Sequence, residues 1–440
     1  MVLFNSTNAF SILIFVLTIL SEDGILAKKA DFKRKVELFY NPGCNIIECN
    51  STTTDSTVNL IYARAQGEND SLHYILSTVG PSPPSILLLR SNDESAILSV
   101  NWTKFLLPNL EDTFGSVKLV SENLTEEVDV DVENVIIFDR LLEYNDSTDE
   151  AVFNASWQFT PILLSDMVWD VNITESLPAT LKGTTLKYPK SFSMNSSLSI
   201  NFFPFKSNGQ SDILPSLPHN ANSSEWEVIL ESLMSRGNGS RFGVRMLVLT
   251  SNRNISKSKI KTIDDEYCPS IFTTEKIEWF NQTGAETETF TQWRTVSYTT
   301  MEHQRKFSTD VMTGSLQEVN TSSSEYNEGV LYNRLLRAYF GSTQIKSMLV
   351  QSADVFFGEP DDGFYVRTRY LSWTSAIGFG KPPVDVFSTL VICILFAGVG
   401  CPLLVIIAGG LYVAYVKIKR SNRFSYKYQL VTNYDYQPIS

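Results

Sequence analysis

Short hydrophobic runs separated by turn residues dominate the pattern of the chain between positions 28 and 385. Apolar and polar residues alternate strictly at 128–132 and 198–202, which is the period of a half-buried β-strand. Short apolar runs rich in branched residues, separated by turn residues, recur at 85–89, 96–100, 134–138 and 244–249. This spacing predicts a mainly β fold class with β-sandwich-like architecture.

Two longer apolar stretches lie near the two ends of the sequence. The first is too short to span about 30 Å of hydrocarbon but is typical of a secretory signal, so residues 1–27 are predicted to be a signal peptide. The second, residues 386–416, contains no charged residue and predicts one transmembrane α-helix. Basic residues follow it at once, which by the positive-inside rule places the tail, residues 417–440, in the cytoplasm. We therefore expect a single-pass type I membrane protein that has a lumenal ectodomain and is anchored in the lipid bilayer by this span.

Acceptor motifs for N-glycosylation support that orientation. Thirteen Asn-x-Ser/Thr sequons lie between the signal peptide and the span, and the tail has none. Their asparagines are Asn50, Asn69, Asn101, Asn123, Asn145, Asn154, Asn172, Asn195, Asn222, Asn238, Asn254, Asn281 and Asn320. So many sequons on one side of the span predict a heavily glycosylated lumenal region.

The lumenal region is expected to consist of two β-rich parts. A stretch rich in Ser, Asn and Pro at 207–224 predicts a linker or long loop, which would separate a first part at 28–206 from a second part and stalk at 225–385. Within the second part, residues 329–340 carry the single helical pattern that we find in this region.

The connection to the membrane span is predicted to be short. Residues 373–385 would form the stalk, and Pro382 and Pro383 would stiffen it. The ectodomain is therefore expected to lie close to the bilayer, where it could cover a neighbouring membrane protein. Small residues in the span, such as Ala397 and Cys401, would let another helix approach closely.

Charge and cysteine content exclude several classes of function. The formal net charge of −12 argues against nucleic acid as a partner, because phosphate binding requires a basic face. Cys44 and Cys49 could form a disulfide across a small loop, or Cys268 could pair with one of them. The sequence has three histidines, and none is near a cysteine, so we predict no metal site and no cofactor.

No catalytic motif stands out, and no catalytic residue is assigned. Asp129, Asp131 and Glu133 alternate, so they are expected to lie on one solvated face of a strand. The acidic cluster from Asp264 to Glu266 could supply carboxylates for a membrane-anchored lysosomal hydrolase. That hydrolase is the alternative that we weigh against a non-enzymatic protein, and an adhesion or receptor ectodomain at the cell surface is a third.

The end of the tail contains a candidate sorting signal. Tyr436 and Ile439 fit the tyrosine-x-x-bulky-apolar pattern that clathrin adaptors bind as an extended peptide. Tyr428 with Val431 also fits the pattern, but Tyr436 is closer to the end of the chain. The pattern predicts delivery to endosomes and lysosomes.

Several short motifs occur in order from position 72 to the span. They are Leu72-His-Tyr-Ile-Leu-Ser-Thr-Val-Gly80, Leu98-Ser-Val-Asn-Trp102, Ile263-Asp-Asp-Glu-Tyr267, Gln292-Trp-Arg294, Arg337-Ala-Tyr-Phe-Gly-Ser342, Tyr370-Leu-Ser-Trp373 and Pro382-Pro-Val-Asp385. In these motifs the chain resembles the glycosylated lysosomal membrane protein family. The resemblance implies a lysosomal accessory subunit that associates with a polytopic lysosomal transporter of the major facilitator class, which exports dipeptides, and shields it from proteolysis.

Overall fold

The computed structural model describes residues 33–50, 58–122, 126–173, 178–184, 195–250, 255–263, 273–283, 286–383, 398 and 400–432. Within these ranges, side-chain environments are described except at 50, 261–263, 273–277, 279–283, 286–287, 401 and 422–432. The described residues fall into two compact units, one made of residues up to 383 and the other of the carboxy-terminal helix. The predicted signal peptide, 1–27, lies outside the described residues.

Antiparallel β-strands make up most of the first unit. They are β1 (Lys35–Tyr40), β2 (Leu60–Gln66), β3 (Ser71–Ser77), β4 (Ser85–Ser91), β5 (Ile97–Val100), β6 (Val117–Val120), β7 (Val132–Asn145), β8 (Ile162–Leu163), β9 (Val168–Asn172), β10 (Ala179–Thr184), β11 (Ser197–Pro204), β12 (Gly209–Gln210), β13 (Pro218–His219), β14 (Ser223–Glu231), β15 (Ser240–Thr250), β16 (Ser256–Ile263), β17 (Thr273–Thr283), β18 (Glu286–Arg294), β19 (Val296–Tyr298), β20 (Ser308–Thr313), β21 (Gln317–Glu318), β22 (Leu349–Phe357) and β23 (Tyr370–Phe379). This content confirms the mainly β prediction.

Helices are short in the first unit and long in the second. The α-helices are α1 (Trp102–Phe105), α2 (Ser324–Tyr326), α3 (Arg334–Ser347), α4 (Phe364–Thr368) and α5 (Cys401–Thr432). A π-helical turn at Asn327–Leu331 precedes α3, and 3₁₀ turns lie at Ile47–Asn50, Leu110–Thr113, Ala155–Trp157, Leu164–Asp166 and Arg305–Phe307.

The strands pair into two large layers. The first sheet runs β1–β2–β3–β4–β7–β15–β22, and β20 and β21 pair with the far side of β22. The second sheet runs β9–β10–β11–β14–β23, and the β16–β17–β18 ladder joins it through β18 and β23. Strand β20 also pairs with β19, which links the two sheets at one edge.

The main core lies between the facing surfaces of these two sheets. Leu88, Ile136 and Val244 from the first sheet belong to the same buried apolar cluster as Trp226 and Trp373 from the second. Two antiparallel sheets that bury a common apolar layer form a β-sandwich. The structure therefore has the predicted architecture.

A second apolar cluster covers the outer face of the first sheet. Leu87 and Leu89 of β4 point into it, whereas Ile86 and Leu88 point into the main core. Helix α3, with Leu336, and the β5–β6 hairpin supply the covering layer. Since both faces of the first sheet are buried, its strands carry continuous apolar runs rather than alternating ones.

The helix predicted at 329–340 begins later and ends later than expected. Asn333 has an extended backbone, and its side chain accepts a hydrogen bond from the backbone N–H of Leu336, which caps α3 at Arg334. Leu331 belongs to the preceding π-helical turn. Gly341 has φ +70° inside α3, so the helix contains a break that the apolar spacing did not reveal.

The alternating segment 128–132 is not a strand along its whole length. Strand β7 begins at Val132, and the residues before it approach β6 through one isolated bridge at Glu127. Asp129 and Asp131 are exposed, while Glu133 is half-buried and accepts a hydrogen bond from the Tyr339 hydroxyl at 2.9 Å.

The organisation of the first unit differs from the two expected parts. Residues 207–224 connect β11 to β14, which are adjacent strands of one sheet, and the described residues on both sides belong to the same compact unit. The stretch 373–385, expected to be a stalk, begins inside β23, where Trp373 is fully buried. The described lumenal residues therefore form a single unit whose last strand ends at Phe379.

Candidate functional site

Most sequon asparagines with a described side chain lie on the surface. Those that are exposed are Asn69, Asn101, Asn154, Asn172, Asn195, Asn238 and Asn320. They occur in turns and strand ends of both sheets and in the covering layer of the first sheet. The side chains of Asn50 and Asn281, and all of Asn123 and Asn254, lie outside the described part of the chain.

Three of these asparagines also stabilise local structure. The Oδ1 atoms of Asn101, Asn154 and Asn320 accept backbone N–H groups two or three residues further along, at 3.1, 2.9 and 2.8 Å. Such bonds are typical of helix caps and Asx turns. They do not use the amide nitrogen, which is the atom that receives a glycan, so capping and glycosylation are compatible.

Asn145 and Asn222 are half-buried. The Asn222 Oδ1 accepts a hydrogen bond from Arg34 Nε at 2.8 Å, and its backbone carbonyl accepts one from the Tyr74 hydroxyl at 2.8 Å. Arg34 is also bound by Asp70 through two bonds of 2.7 Å. This sequon is therefore embedded in a polar junction between the two sheets.

Other predicted sites are distributed between the described and undescribed parts of the chain. The structure joins Cys44 to Cys49 by a disulfide with a Cα separation of 6.3 Å, whereas Cys268 lies outside the described residues. Pro402–Ser421 is long and apolar enough to cross a membrane and is the one such helix found among the described residues; it overlaps the predicted span, 386–416, and extends five residues into the predicted tail. Tyr436 and Ile439 lie outside the described residues.

The acidic cluster of the hydrolase alternative cannot be placed, since Asp264 and Glu266 lie outside the described residues. Among the residues that are described, no group of three or more His, Cys, Asp or Glu side chains is arranged to hold a metal ion.

A polar cleft that the sequence did not predict lies on the outer face of the second sheet. Its floor is formed by β11 and β14, and the segment that follows β11 and contains the β12–β13 hairpin forms its walls. The cleft has a volume of about 630 Å³, which is in the usual range for ligand sites. Glu225 and Glu227 lie on its floor, two residues apart on β14 and therefore on the same face of the sheet.

Glu227 is held by a network of hydrogen bonds. Its Oε2 accepts from Asn201 Nδ2 at 2.9 Å, and Asn201 Oδ1 in turn accepts from the Thr180 hydroxyl at 2.7 Å. Its Oε1 is 3.2 Å from His303 Nε2, which also lies 2.7 Å from the Ser372 hydroxyl. Burial raises the pKa of Glu227, but the bonds from His303 and Asn201 outweigh it, so the pKa lies below its ordinary value.

Glu225 has the opposite environment. The side chain is 4% exposed, and its Oε2 has no hydrogen-bond partner among the described residues. Burial raises the pKa of Glu225 to about 7. A hydrogen bond with the Ser211 side chain opposes this rise, and the negative charges of Glu227 and Asp212 add smaller effects that raise the pKa further. Two neighbouring carboxyl groups therefore have well-separated pKa values, so one is charged and the other neutral in weak acid.

Aromatic rings line one wall of the cleft. The rings of Phe205 and His219 stack with their centroids 3.5 Å apart, and Phe203 meets Phe205 edge to face at 5.2 Å. Burial lowers the pKa of His219, so this ring is neutral near pH 7.

The sequence contains only a weak signal for this cleft. Glu225 and Glu227 alternate with the core residues Trp226 and Val228, a pattern that normally indicates a solvated outer face. The cover comes from residues 205–222, whose composition predicts only a linker or loop, and from the loop that carries His303, 76 residues beyond Glu227 along the chain. Sequence reasoning therefore missed the site.

Comparisons with known proteins identify the family. The sequence profile described as "Glycosylated lysosomal membrane protein" matches residues 59–420. The chain is 30% identical over 415 residues to "Glycosylated lysosomal membrane protein A" of Xenopus laevis, covering 92% of this chain and 96% of that protein. It is 30% identical to the glycosylated lysosomal membrane protein of Mus musculus over 381 residues (85% and 87%), and 31% identical to that of Homo sapiens over 362 residues (80% and 83%). The recurrence of the family's sequence along nearly the whole chain, together with a helix able to cross a membrane, shows that this chain belongs to the glycosylated lysosomal membrane protein family, whose members reside in the lysosomal membrane.

Proposed function

We propose that this lysosomal membrane glycoprotein is a non-enzymatic accessory subunit, which stabilises a polytopic lysosomal transporter of the major facilitator class and shields it from proteolysis. The observation that carries the proposal is the distribution of exposed sequon asparagines over both sheets and the covering layer of one compact unit. A bulky, hydrated glycan at each would cover much of that unit in the protease-rich lumen. That the transporter exports dipeptides is included in the proposal only because the family resemblance implies it.

The connection to the membrane supports a role at the bilayer surface. Strand β23 ends at Phe379, and residues 380–385 lead from it to the predicted span. A connection of this length reaches at most about 20 Å. A glycan-coated unit on so short a connection is suited to covering the lumenal face of a neighbouring membrane protein.

The shielding role can be tested without changing any asparagine that caps a turn. Thr103, Ser156 and Ser322 are the exposed hydroxyl residues of three sequons. Replacing all three by Ala removes the acceptor motifs, whereas Thr103→Ser, Ser156→Thr and Ser322→Thr keep them as a matched control. In pulse–chase experiments on lysosomes, the Ala variant and its bound transporter should have shorter half-lives than the control. Equal half-lives would contradict the shielding role.

The subunit role requires a stoichiometric partner. Affinity purification of the full-length protein in mild detergent, followed by mass spectrometry, should recover one polytopic transporter. Recovery of the protein alone would count against the accessory role.

A separate test addresses delivery by clathrin adaptors. Tyr436→Ala should move the protein from lysosomes to the plasma membrane, and unchanged lysosomal staining would exclude this signal.

A further inference from the structure

The cleft over β11 and β14 contains a buried carboxyl group that has no cationic partner among the described residues. Glu225 is 4% exposed, lines the cleft, and has one carboxyl oxygen without a hydrogen-bond partner among the described residues. A buried carboxylate is costly unless a cation or several donors compensate it. The neighbouring Glu227 has such compensation from Asn201 and His303, so the two carboxyl groups are not equivalent.

The groups around Glu225 leave the cleft short of positive charge. Among the described residues, the charged and titratable side chains that line the cleft beside it are Glu227 on β14, and Lys206, Asp212 and His219 in the covering segment. The adjacent strands β11 and β23 place uncharged residues, Phe203 and Ala376, at the positions paired with Glu225. Lys206 is exposed at the rim, and the His219 ring is neutral near pH 7.

The wall beside the carboxyl group is aromatic. Phe203 and Phe205 pack edge to face, and His219 stacks on Phe205. Aromatic faces attract cations through their quadrupole, and they also bury the carbon skeleton of a ligand. Carboxylates combined with aromatic rings in one cleft thus favour a positively charged organic ligand over a neutral or anionic one.

We propose that this cleft binds a small organic cation, whose primary ammonium group pairs with the Glu225 carboxylate while its carbon skeleton lies against Phe203 and Phe205. The ammonium group supplies the N–H donors that the buried oxygen lacks, and charge-assisted bonds of this kind are the strong ones. The cleft of about 630 Å³ accommodates a ligand of this size.

Binding of an ammonium group is coupled to loss of one proton from Glu225. The empty site keeps the carboxyl group neutral in weak acid, because burial raises its pKa to about 7. The cation binds the ionised form, and the displaced proton goes to solvent. Affinity should therefore fall about tenfold for each pH unit below pH 6, since the ionised fraction falls in that proportion.

The test compares two probes that differ only in charge. The binding of 2-phenylethylamine and of its neutral analogue 2-phenylethanol to the full-length protein in detergent is measured by titration calorimetry at pH 5, 6 and 7. The amine should bind at least tenfold more tightly than the alcohol at pH 7, and about tenfold more weakly at pH 5 than at pH 6. Equal affinity for the two probes, or no binding of the amine, would overturn the proposal.

Variants assign the effect to one carboxyl group. Glu225→Gln should lose at least tenfold in amine affinity at pH 7 and also lose the pH dependence. Glu231→Gln is the matched control, because Glu231 lies on the same strand and face but does not line the cleft. An amine affinity that is unchanged in Glu225→Gln, or equally reduced in both variants, would refute the assignment. The comparison of the two probes on the unmodified protein does not depend on the folding of either variant.

Discussion

The raised pKa of Glu225 predicts that this residue makes the lumenal unit more stable in acid than at neutral pH. The perturbation is Glu225→Gln, which keeps the shape of the protonated side chain and removes its titration. In the folded protein the pKa is about 7, whereas the ordinary value is 4.5. Between pH 4.5 and pH 7, Glu225 therefore keeps its proton in the folded state but has lost it in the unfolded chain. The stabilisation is complete below pH 4.5 and is lost as the pH rises through 7.

The magnitude follows from the difference between the two pKa values. At about 1.4 kcal/mol for each pH unit, the free energy of unfolding of the unmodified protein should fall by about 3 kcal/mol between pH 5 and pH 8 on account of Glu225. Asp139 acts in the same direction, because burial raises its pKa to about 6 against the opposing effect of Arg140. The Gln variant should keep the Asp139 contribution and lose that of Glu225.

The assay is urea unfolding of the full-length protein in detergent at several pH values, followed by tryptophan fluorescence. Trp226, Trp293 and Trp373 are fully buried, so their emission reports the packing of the lumenal core. Glu231→Gln, which changes a carboxyl group on the same strand outside the cleft, is the matched control. The reasoning is refuted if Glu225→Gln shows the same decrease in unfolding free energy between pH 5 and 8 as the unmodified protein.

Three further substitutions test other parts of the fold by the same unfolding assay. Arg241→Met should lower the free energy of unfolding by about 3–5 kcal/mol. Arg241 is 1% exposed, and its loss leaves the fully buried carboxylate of Asp146, 2.8 Å away, without its cation. A decrease of less than about 1 kcal/mol would contradict this. Leu336→Ala should cost about 2–5 kcal/mol by leaving a cavity between α3 and the first sheet, and a neutral effect would show that the covering layer is dispensable. Gly341→Ala should lower the free energy of unfolding by roughly 1–3 kcal/mol, since φ is +70° and a Cβ atom would lie 2.8 Å from the Phe114 ring. An unchanged urea midpoint would rule out this strain.

The sequence predicted the parts of the fold that depend on local pattern. Runs such as 85–89 and 134–138 correspond to strands in the first sheet, because strands buried on both faces need apolar residues at every position. The helical pattern identified part of α3, but Asn333 and Gly341 set its beginning and its internal break through backbone conformation. A pattern of apolar residues carries no information about those two features.

The sequence could not show what covers the second sheet. The segment 207–224 has the composition of a linker, yet it connects neighbouring strands and closes over β14. This segment therefore buries Glu225, and the alternating pattern of β14 itself does not reveal that burial. By contrast, most sequon asparagines with a described side chain are exposed, such as Asn154 and Asn238 in surface loops, although Asn145 and Asn222 are half-buried.

The stability of the lumenal unit and the binding of a cation should be linked, because both depend on the charge of Glu225. At pH 8 the Glu225 carboxylate is ionised and has one oxygen without a hydrogen-bond partner among the described residues, so an ammonium ligand would supply the missing donors. A ligand that binds only the folded state at ten times its dissociation constant raises the free energy of unfolding by about 1.4 kcal/mol. Adding 2-phenylethylamine at pH 8 should therefore stabilise the unmodified protein and leave Glu225→Gln unchanged, whereas at pH 5 it should stabilise neither. Equal stabilisation of both proteins by the amine would show that it binds elsewhere.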